Sequence, residues 1–310
     1  MTADAPPRPR PALTVALPTF GAAPAEGWRA AVELARMAEE AGVDRIVVSD
    51  HVVMGTHPEA YTWGRFPVPP DAPWLEPLTV LTAMAMVTSR VRLATGILIS
   101  PLRPAALLAK TAATLDVLSG GRLDLGVGTG WQREEYDAEG LAFEDRGRLL
   151  TDGIAACRAL WEHTPATFES ESVSLQDIYC SPQPAQARLP VWFSGVLHAR
   201  NLRRVVELGD GWLPIMGATV DEIGADVARL RGAFEEHGRA YDELRVQAPA
   251  VFARDGSGAP DLEATLASVP PLVVAGVTDV QVNLRVFCPD LADAPAVLDA
   301  MVESFAAAGR

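Results

Sequence analysis

Residues 91–128 read VRLATGILISPLRPAALLAKTAATLDVLSGGRLDLGVG. A short apolar run, Val91 to Leu98, leads into a stretch of helical period from Pro104 to Leu118, and a second apolar run follows from Arg122 to Gly128. A short apolar run, a helix and another apolar run is the signature of two parallel strands joined by a crossover helix, because the helix carries the chain back along the sheet.

The same alternation extends in both directions. Toward the N-terminus, Leu13 to Pro18 and Arg45 to Ser49 read as strands, with helices at Glu26 to Ala41 and Leu75 to Thr88. In the first helix Trp28, Ala31, Val32, Ala35 and Ala38 share one face and Arg29, Glu33, Arg36 and Glu40 another, and Gly42 stands where a C-cap belongs. Toward the C-terminus the strands are Pro190 to Gly195, Gly211 to Met216, Arg245 to Phe252 and Asp279 to Phe287. Helices are expected at Asp145 to Trp161, Ala199 to Leu208, Val220 to Glu236, briefly near Leu262, and at Ala292 to Ala308. Thr219 with Glu222 forms a capping box ahead of Ile223, Val227, Leu230 and Phe234 on one face. Eight strand–helix pairs specify an α/β fold of the (β/α)8 TIM-barrel class with loop insertions, since a doubly wound sheet more often stops at five or six strands. Residues 12–310 then form one domain, and Met1 to Pro11, rich in Pro and charge, is expected to be a disordered lead-in.

Two connections are longer than a barrel needs. His51 to Trp74 carries His57, Tyr61, Trp63 and Phe66 among five prolines and leaves the C-terminal end of the second strand, the face on which barrels build active sites. Thr164 to Leu189 follows a helix and so begins on the opposite face, with enough length to fold back over the rim.

The formal charge of −14 speaks against a nucleic-acid partner. Three widely spaced cysteines suit a reducing cytoplasm better than a disulfide framework, and each reads as an apolar filler. The N-terminus lacks the apolar core of a signal peptide or membrane anchor. The five His are scattered without metal spacing, so no metal site is expected. Ser194-Gly195 lacks the Gly-x-Ser-x-Gly elbow of a hydrolase.

Three clusters remain that can carry chemistry. Ser49-Asp50-His51 lies at the mouth end of the second strand, and histidine is the side chain whose ordinary pKa lies nearest neutrality, so it can hold or release a proton, though such a residue can also just satisfy a loop hydrogen bond. Gly126-Val127-Gly128-Thr129-Gly130-Trp131 ends the fourth strand with glycines that admit a close ligand, but it matches neither a dinucleotide fingerprint nor a P-loop. Ser194-Gly195-Val196 runs into a helix start bearing His198, Arg200, Asn201, Arg203 and Arg204, the best candidate phosphate site in an acidic chain. Glu134 and Glu135 point apart on a helix and read as a solvated face.

Taken in order, Ser49-Asp50-His51, Trp74-Leu75-Glu76-Pro77-Leu78, Arg90 to Gly96, Leu108 to Arg122, Gly126 to Trp131, Ser194-Gly195 and Gly209-Asp210-Gly211-Trp212-Leu213-Pro214 resemble the bacterial luciferase-like monooxygenase superfamily. Ser-Asp-His with Gly-Val-Gly-Thr-Gly resembles its branch that uses the deazaflavin coenzyme F420. The resemblance implies that Asp50 and His51 face the deazaflavin ring, with His51 as proton donor or acceptor. It implies a bulge with a non-prolyl cis peptide at Gly96-Ile97-Leu98, following Thr95, to back the ring. It implies that Gly128-Thr129-Gly130 and Ser194-Gly195-Val196, together with Arg200, take the ribityl and phosphate portion. A homodimer is the default for the family. Members acting on sugar phosphates carry Glu directly after Gly-Thr-Gly, where this chain has Trp131. That departure, with Tyr61 and Trp63, implies a flatter, more apolar substrate pocket. The expected activity is F420-dependent hydride transfer to or from an apolar small molecule. The alternatives are an FMN-dependent monooxygenase that activates oxygen and a flavin or deazaflavin carrier without turnover.

Overall fold

The computed structural model describes residues 10–24, 27–64 and 66–309. Most of the expected N-terminal lead-in therefore lies outside the described residues, while Arg10 already pairs with Asp44 at 2.6 Å.

The strands in chain order are β1 (Ala12–Ala16), β2 (Arg45–Val48), β3 (Arg92–Thr95), β4 (Leu98–Ile99), β5 (Leu123–Gly128), β6 (Ala166–Glu169), β7 (Ser174–Ile178), β8 (Val191–Ser194), β9 (Gly211–Leu213), β10 (Arg245–Pro249) and β11 (Asp279–Asn283). β6 and β7 form a separate antiparallel hairpin, and the other nine make one parallel sheet in the order β3-β2-β1-β11-β10-β9-β8-β5-β4. β3 also pairs with β5, which closes the sheet, and β4 resumes the line of β3 after a two-residue interruption. The result is an eight-staved barrel with all pairings parallel, the expected (β/α)8 fold.

The surrounding helices are α1 (Arg29–Ala41), α2 (Pro77–Ala85), α3 (Ala105–Ser119), α4 (Arg133–Ala138), α5 (Arg146–Glu162), α6 (Ala199–Leu208), α7 (Val220–Glu236), α8 (Leu262–Leu266), α9 (Val269–Ala275), α10 (Leu284–Phe287) and α11 (Ala294–Ala308). α1 buries Ala31, Leu34, Ala35 and Ala38 and ends at Gly42, whose φ of 96° gives the left-handed cap. α7 carries the full capping box and buries Ile223, Val227, Leu230 and Phe234. α2 starts at Pro77 rather than Leu75 because the Glu76 side chain accepts the Thr79 N–H and caps it there. The last strand stops at Asn283, not Phe287, because the Asn283 side chain accepts the Arg285 N–H and starts α10. α4, α9 and the β6–β7 hairpin have no counterpart in the expected element list. The hairpin folds back along the outside of α5, where its turn places Ser172 against Arg148 and Asp152, so it reaches toward the rim without covering the mouth.

The base of the barrel is closed by charge. Arg45 at the start of β2 lies over the Trp192 ring and bonds Asp124 at 2.8 Å and also Asp279. Arg92 adds a bidentate bond to Asp124, and Arg245 one to Asp279. Burial alone would raise the Asp124 carboxyl, but Arg45 and Arg92 outweigh it and hold it below its usual range. With the base plugged, the opposite end is the one left to bind a ligand. Among the described residues no helix is long and apolar enough to cross a membrane.

Candidate active site

His51 lies just beyond the end of β2, after Ser49 and Asp50, at the C-terminal mouth. Its side chain is 9% exposed, and its Nδ1 faces two partners: Glu135 Oε1 at 3.2 Å and Gln132 Nε2 at 3.1 Å. Its Nε2 has no hydrogen-bond partner among the described residues. Glu135 sits in the first turn of α4 and is fully buried, its Oε1 also accepting the Val52 N–H at 2.9 Å and its Oε2 having no hydrogen-bond partner among the described residues. Gln132 accepts the Gly55 N–H at 2.9 Å through Oε1, which fixes which end of the amide meets the imidazole. The two acidic neighbours do diverge, but the reading of both as a solvated face is corrected: Glu135 is drawn inward onto a histidine 84 positions away.

Asp50 does not present its carboxylate to the mouth, as a ring-facing role would need. The side chain is completely buried, accepts two bonds from Arg103 at 2.7 and 3.0 Å, and accepts the Ile99 N–H at 2.8 Å. Arg103 continues to Glu76, the cap of α2, at 2.9 Å. Burial lowers the affinity of Arg103 for its proton, and Asp50 and Glu76 more than restore it. Asp50 is thus a brace between the ends of β2 and β4 and the start of α2.

The brace holds the wall in which the Gly96–Ile97 peptide is cis, the expected bulge. Thr95 and Leu98, counted among the candidate cofactor contacts, are buried to 1% and 0% exposure; Thr95 Oγ1 donates to Gly126 O at 2.7 Å, so these two support the bulge from within the wall. A Cβ on Gly128 would lie 3.1 Å from Ile97 and 3.6 Å from the Ser194 Cβ, which puts the bulge, the glycine turn and the Ser194 turn in one place. Gly130 turns with φ 64° and Gly195 with φ 106°. Thr129 is held through its carbonyl by the buried Tyr136 hydroxyl at 2.5 Å.

At α6, the arginine cluster divides. Arg204 is buried against Thr151 and the Gly147 carbonyl, and Arg203 pairs with Glu207 on the exterior. Arg200 is exposed and makes no ion pair among the described residues. Burial, with Arg204 and Arg200, pushes the exposed His198 down, so the helix start sits in a positive field.

The His51–Trp74 connection folds over the mouth as an aromatic lid. Phe66, Trp74 and Trp131 meet the His51 ring at centroid distances of 5.7, 4.6 and 5.9 Å, each nearly perpendicular. Tyr61 packs on Phe66, Trp131 and Trp63, and Phe20 stacks on Trp74 at 4.0 Å. The Tyr61 hydroxyl reaches Met216 Sδ, past the end of β9, at 3.5 Å, so the lid spans from one side of the mouth to the other. A groove of about 600 Å³ runs along the lid, and Tyr61 and Phe66 form its wall on the side of the aromatic cluster. Val52, Val53, Trp63, Val196, Met216, Val251, Phe252 and Val286, all beyond strand ends, leave large apolar side chains exposed on this face of the barrel. Tyr61 thus joins Trp63 and Trp131 in one aromatic cluster with Phe66 and Trp74, and Gln132, Glu135 and Arg103 stand behind His51 and Asp50.

The model of the luciferase-like monooxygenases matches residues 12–275. The chain belongs to this family. A Mycobacterium tuberculosis relative described only as uncharacterized is 30% identical over 264 residues, covering 82% of this chain and 85% of its own. Among solved structures, an F420-dependent secondary alcohol dehydrogenase in complex with an F420–acetone adduct superposes with a TM-score of 0.76 at 17% identity, over 96% of this chain and 99% of its own. The monooxygenase RslO1 from Streptomyces bottropensis has the same TM-score and identity, over 94% of this chain and 98% of its own. Structural likeness at this identity establishes the barrel, and the family match supports an enzyme of the oxidoreductase type.

Proposed function

We propose that this luciferase-like protein is an F420-dependent oxidoreductase that passes a hydride between the deazaflavin and an apolar small molecule. The observation that carries the reading is His51, seated at the mouth with a paired Nδ1 and an unpartnered Nε2 beneath an aromatic lid. The residues present fit the coenzyme: glycines open the wall beside Gly96–Ile97, where a Cβ at Gly128 would crowd Ile97. At α6 the Ala199 and Arg200 N–H groups are uncommitted among the described residues and Arg200 supplies a free cation, which suits phosphate.

Bound F420 would supply the hydride-carrying carbon. The chain's part is to place the substrate and manage the proton. Ile97 and the turns at Gly128 and Ser194 would orient the ring and its ribityl arm, and Arg200 the phosphate. Tyr61, Phe66, Trp74 and Trp131 would enclose a flat, apolar substrate and exclude water from the transfer. His51 Nε2 would take the substrate proton in one direction and return it in the other. Fluorescence titration of the purified protein tests this: F420 is expected to saturate at micromolar concentration and FMN to bind at least tenfold more weakly, whereas tight FMN binding with none for F420 would overturn it in favour of an oxygen-activating monooxygenase.

A further inference from the structure

His51 Nδ1 stands between a carboxylate and an amide that ask opposite things of it. The amide nitrogen of Gln132, 3.1 Å away, can only donate, and would leave Nδ1 bare with the ring proton on Nε2. Glu135 Oε1, 3.2 Å away, accepts, and would hold the proton on Nδ1 and leave Nε2 bare. We propose that Glu135 wins this competition and acts as the positioning residue that fixes His51 as the Nδ1–H tautomer, with Nε2 as a ready proton acceptor. The inference rests on the proposed role of His51 as the proton carrier.

Three observations decide between the two neighbours. A hydrogen bond to a carboxylate is about twice as strong as one between neutral groups. Glu135 Oε1 also accepts the Val52 N–H, and the residue lies in the first turn of α4, where the peptide dipoles favour a negative group. Gln132 is not left wanting, because its amide nitrogen also lies 3.5 Å from the Val53 carbonyl, which can take the hydrogen that the imidazole refuses. Among the described residues Glu135, buried with one oxygen unpartnered, has no surface salt bridge or cap to serve instead. When Nε2 accepts a proton from a reactant X–H, the imidazolium formed still donates from Nδ1 to Glu135, so the new charge arises beside a carboxylate. No atom other than that proton has to move.

Nitrogen-15 NMR of the histidine rings tests this in the protein without cofactor, with the His51 signals assigned from His51→Gln. Above the titration range the wild type is expected to show an N–H at Nδ1 and a bare Nε2. Glu135→Leu is expected to invert this, because only the donating amide nitrogen of Gln132 then faces Nδ1, and Gln132→Leu to leave it as in the wild type. A bare Nδ1 in the wild type, or an unchanged tautomer in Glu135→Leu, would overturn the proposal. If Glu135→Leu does not fold, the wild-type spectrum with Gln132→Leu still decides. The tautomer is read independently of F420 affinity, so failure here and failure of the proposed function are told apart.

Discussion

The Asp50–Arg103 pair gives the sharpest quantitative expectation. Asp50 has no exposed side-chain surface and Arg103 has 14%, so each charge depends on the other rather than on water. Removing one partner of a buried pair costs about 3–5 kcal/mol, because the charge left behind has neither solvent nor counter-ion. In Asp50→Asn the guanidinium retains Glu76, which is 45% exposed, and the loss is expected near the low end, about 3 kcal/mol. In Arg103→Met the fully buried carboxylate keeps, among the described residues, the Ile99 N–H alone, and about 4 kcal/mol is expected. The double variant removes both charges and should recover at least about 2 kcal/mol of the summed cost. Urea unfolding at pH 7, read by far-UV circular dichroism, measures all three. Single variants within about 0.5 kcal/mol of wild type, or a double variant equal to the sum, would show that this pair is not the brace described.

Other outcomes follow from named contacts. A Cβ on Gly126 would lie 2.0 Å from the Thr95 carbonyl oxygen, a backbone atom of the adjacent strand, so Gly126→Ala should lose at least about 3 kcal/mol, while Gly153→Ala, with open space inside α5, should gain about 0.5–1 kcal/mol in the same unfolding assay. Burial pushes Glu39 up, but the N–H groups of Val91, Arg90 and Ser89 outweigh it and hold it at about 2. A depressed carboxyl stabilises the fold above its unfolded value and loses that contribution as the pH falls from about 4.5 to about 2, so Glu39→Gln should flatten the acid limb of the stability profile by about 1 kcal/mol after solvent screening. Arg200→Glu should weaken F420 binding about tenfold or more without moving the urea midpoint.

The barrel strands were legible because each is a short run of apolar residues bounded by loop chemistry, and the closed order adds only which runs are neighbours; the β6–β7 hairpin, largely polar and exposed, gave no such run. Element ends were less so: Asn283 and Glu76 reset a boundary through one side-chain bond each, which no periodicity reveals. In the site, His51 and the aromatic lid were visible from position along the chain. Glu135 was not, because a six-residue helix shows too little period to say which of two adjacent glutamates turns inward, and its partner is remote in sequence. Arg103 did leave a signal, as the one charge between Leu98 and Ala109, where an apolar setting calls for a buried counter-ion. Asp50 illustrates the limit of reading by adjacency: next to His51 in the chain, it faces the wall and not the mouth.

Where the coenzyme lies is tested most directly by amide hydrogen exchange with and without F420. Binding as proposed should slow exchange at 97–99, 128–131 and 195–201 and in the lid around Tyr61 and Phe66, and leave the charged base near Arg45 and Asp279 unchanged. Protection confined to other segments, or protection produced by FMN and not by F420, would contradict it.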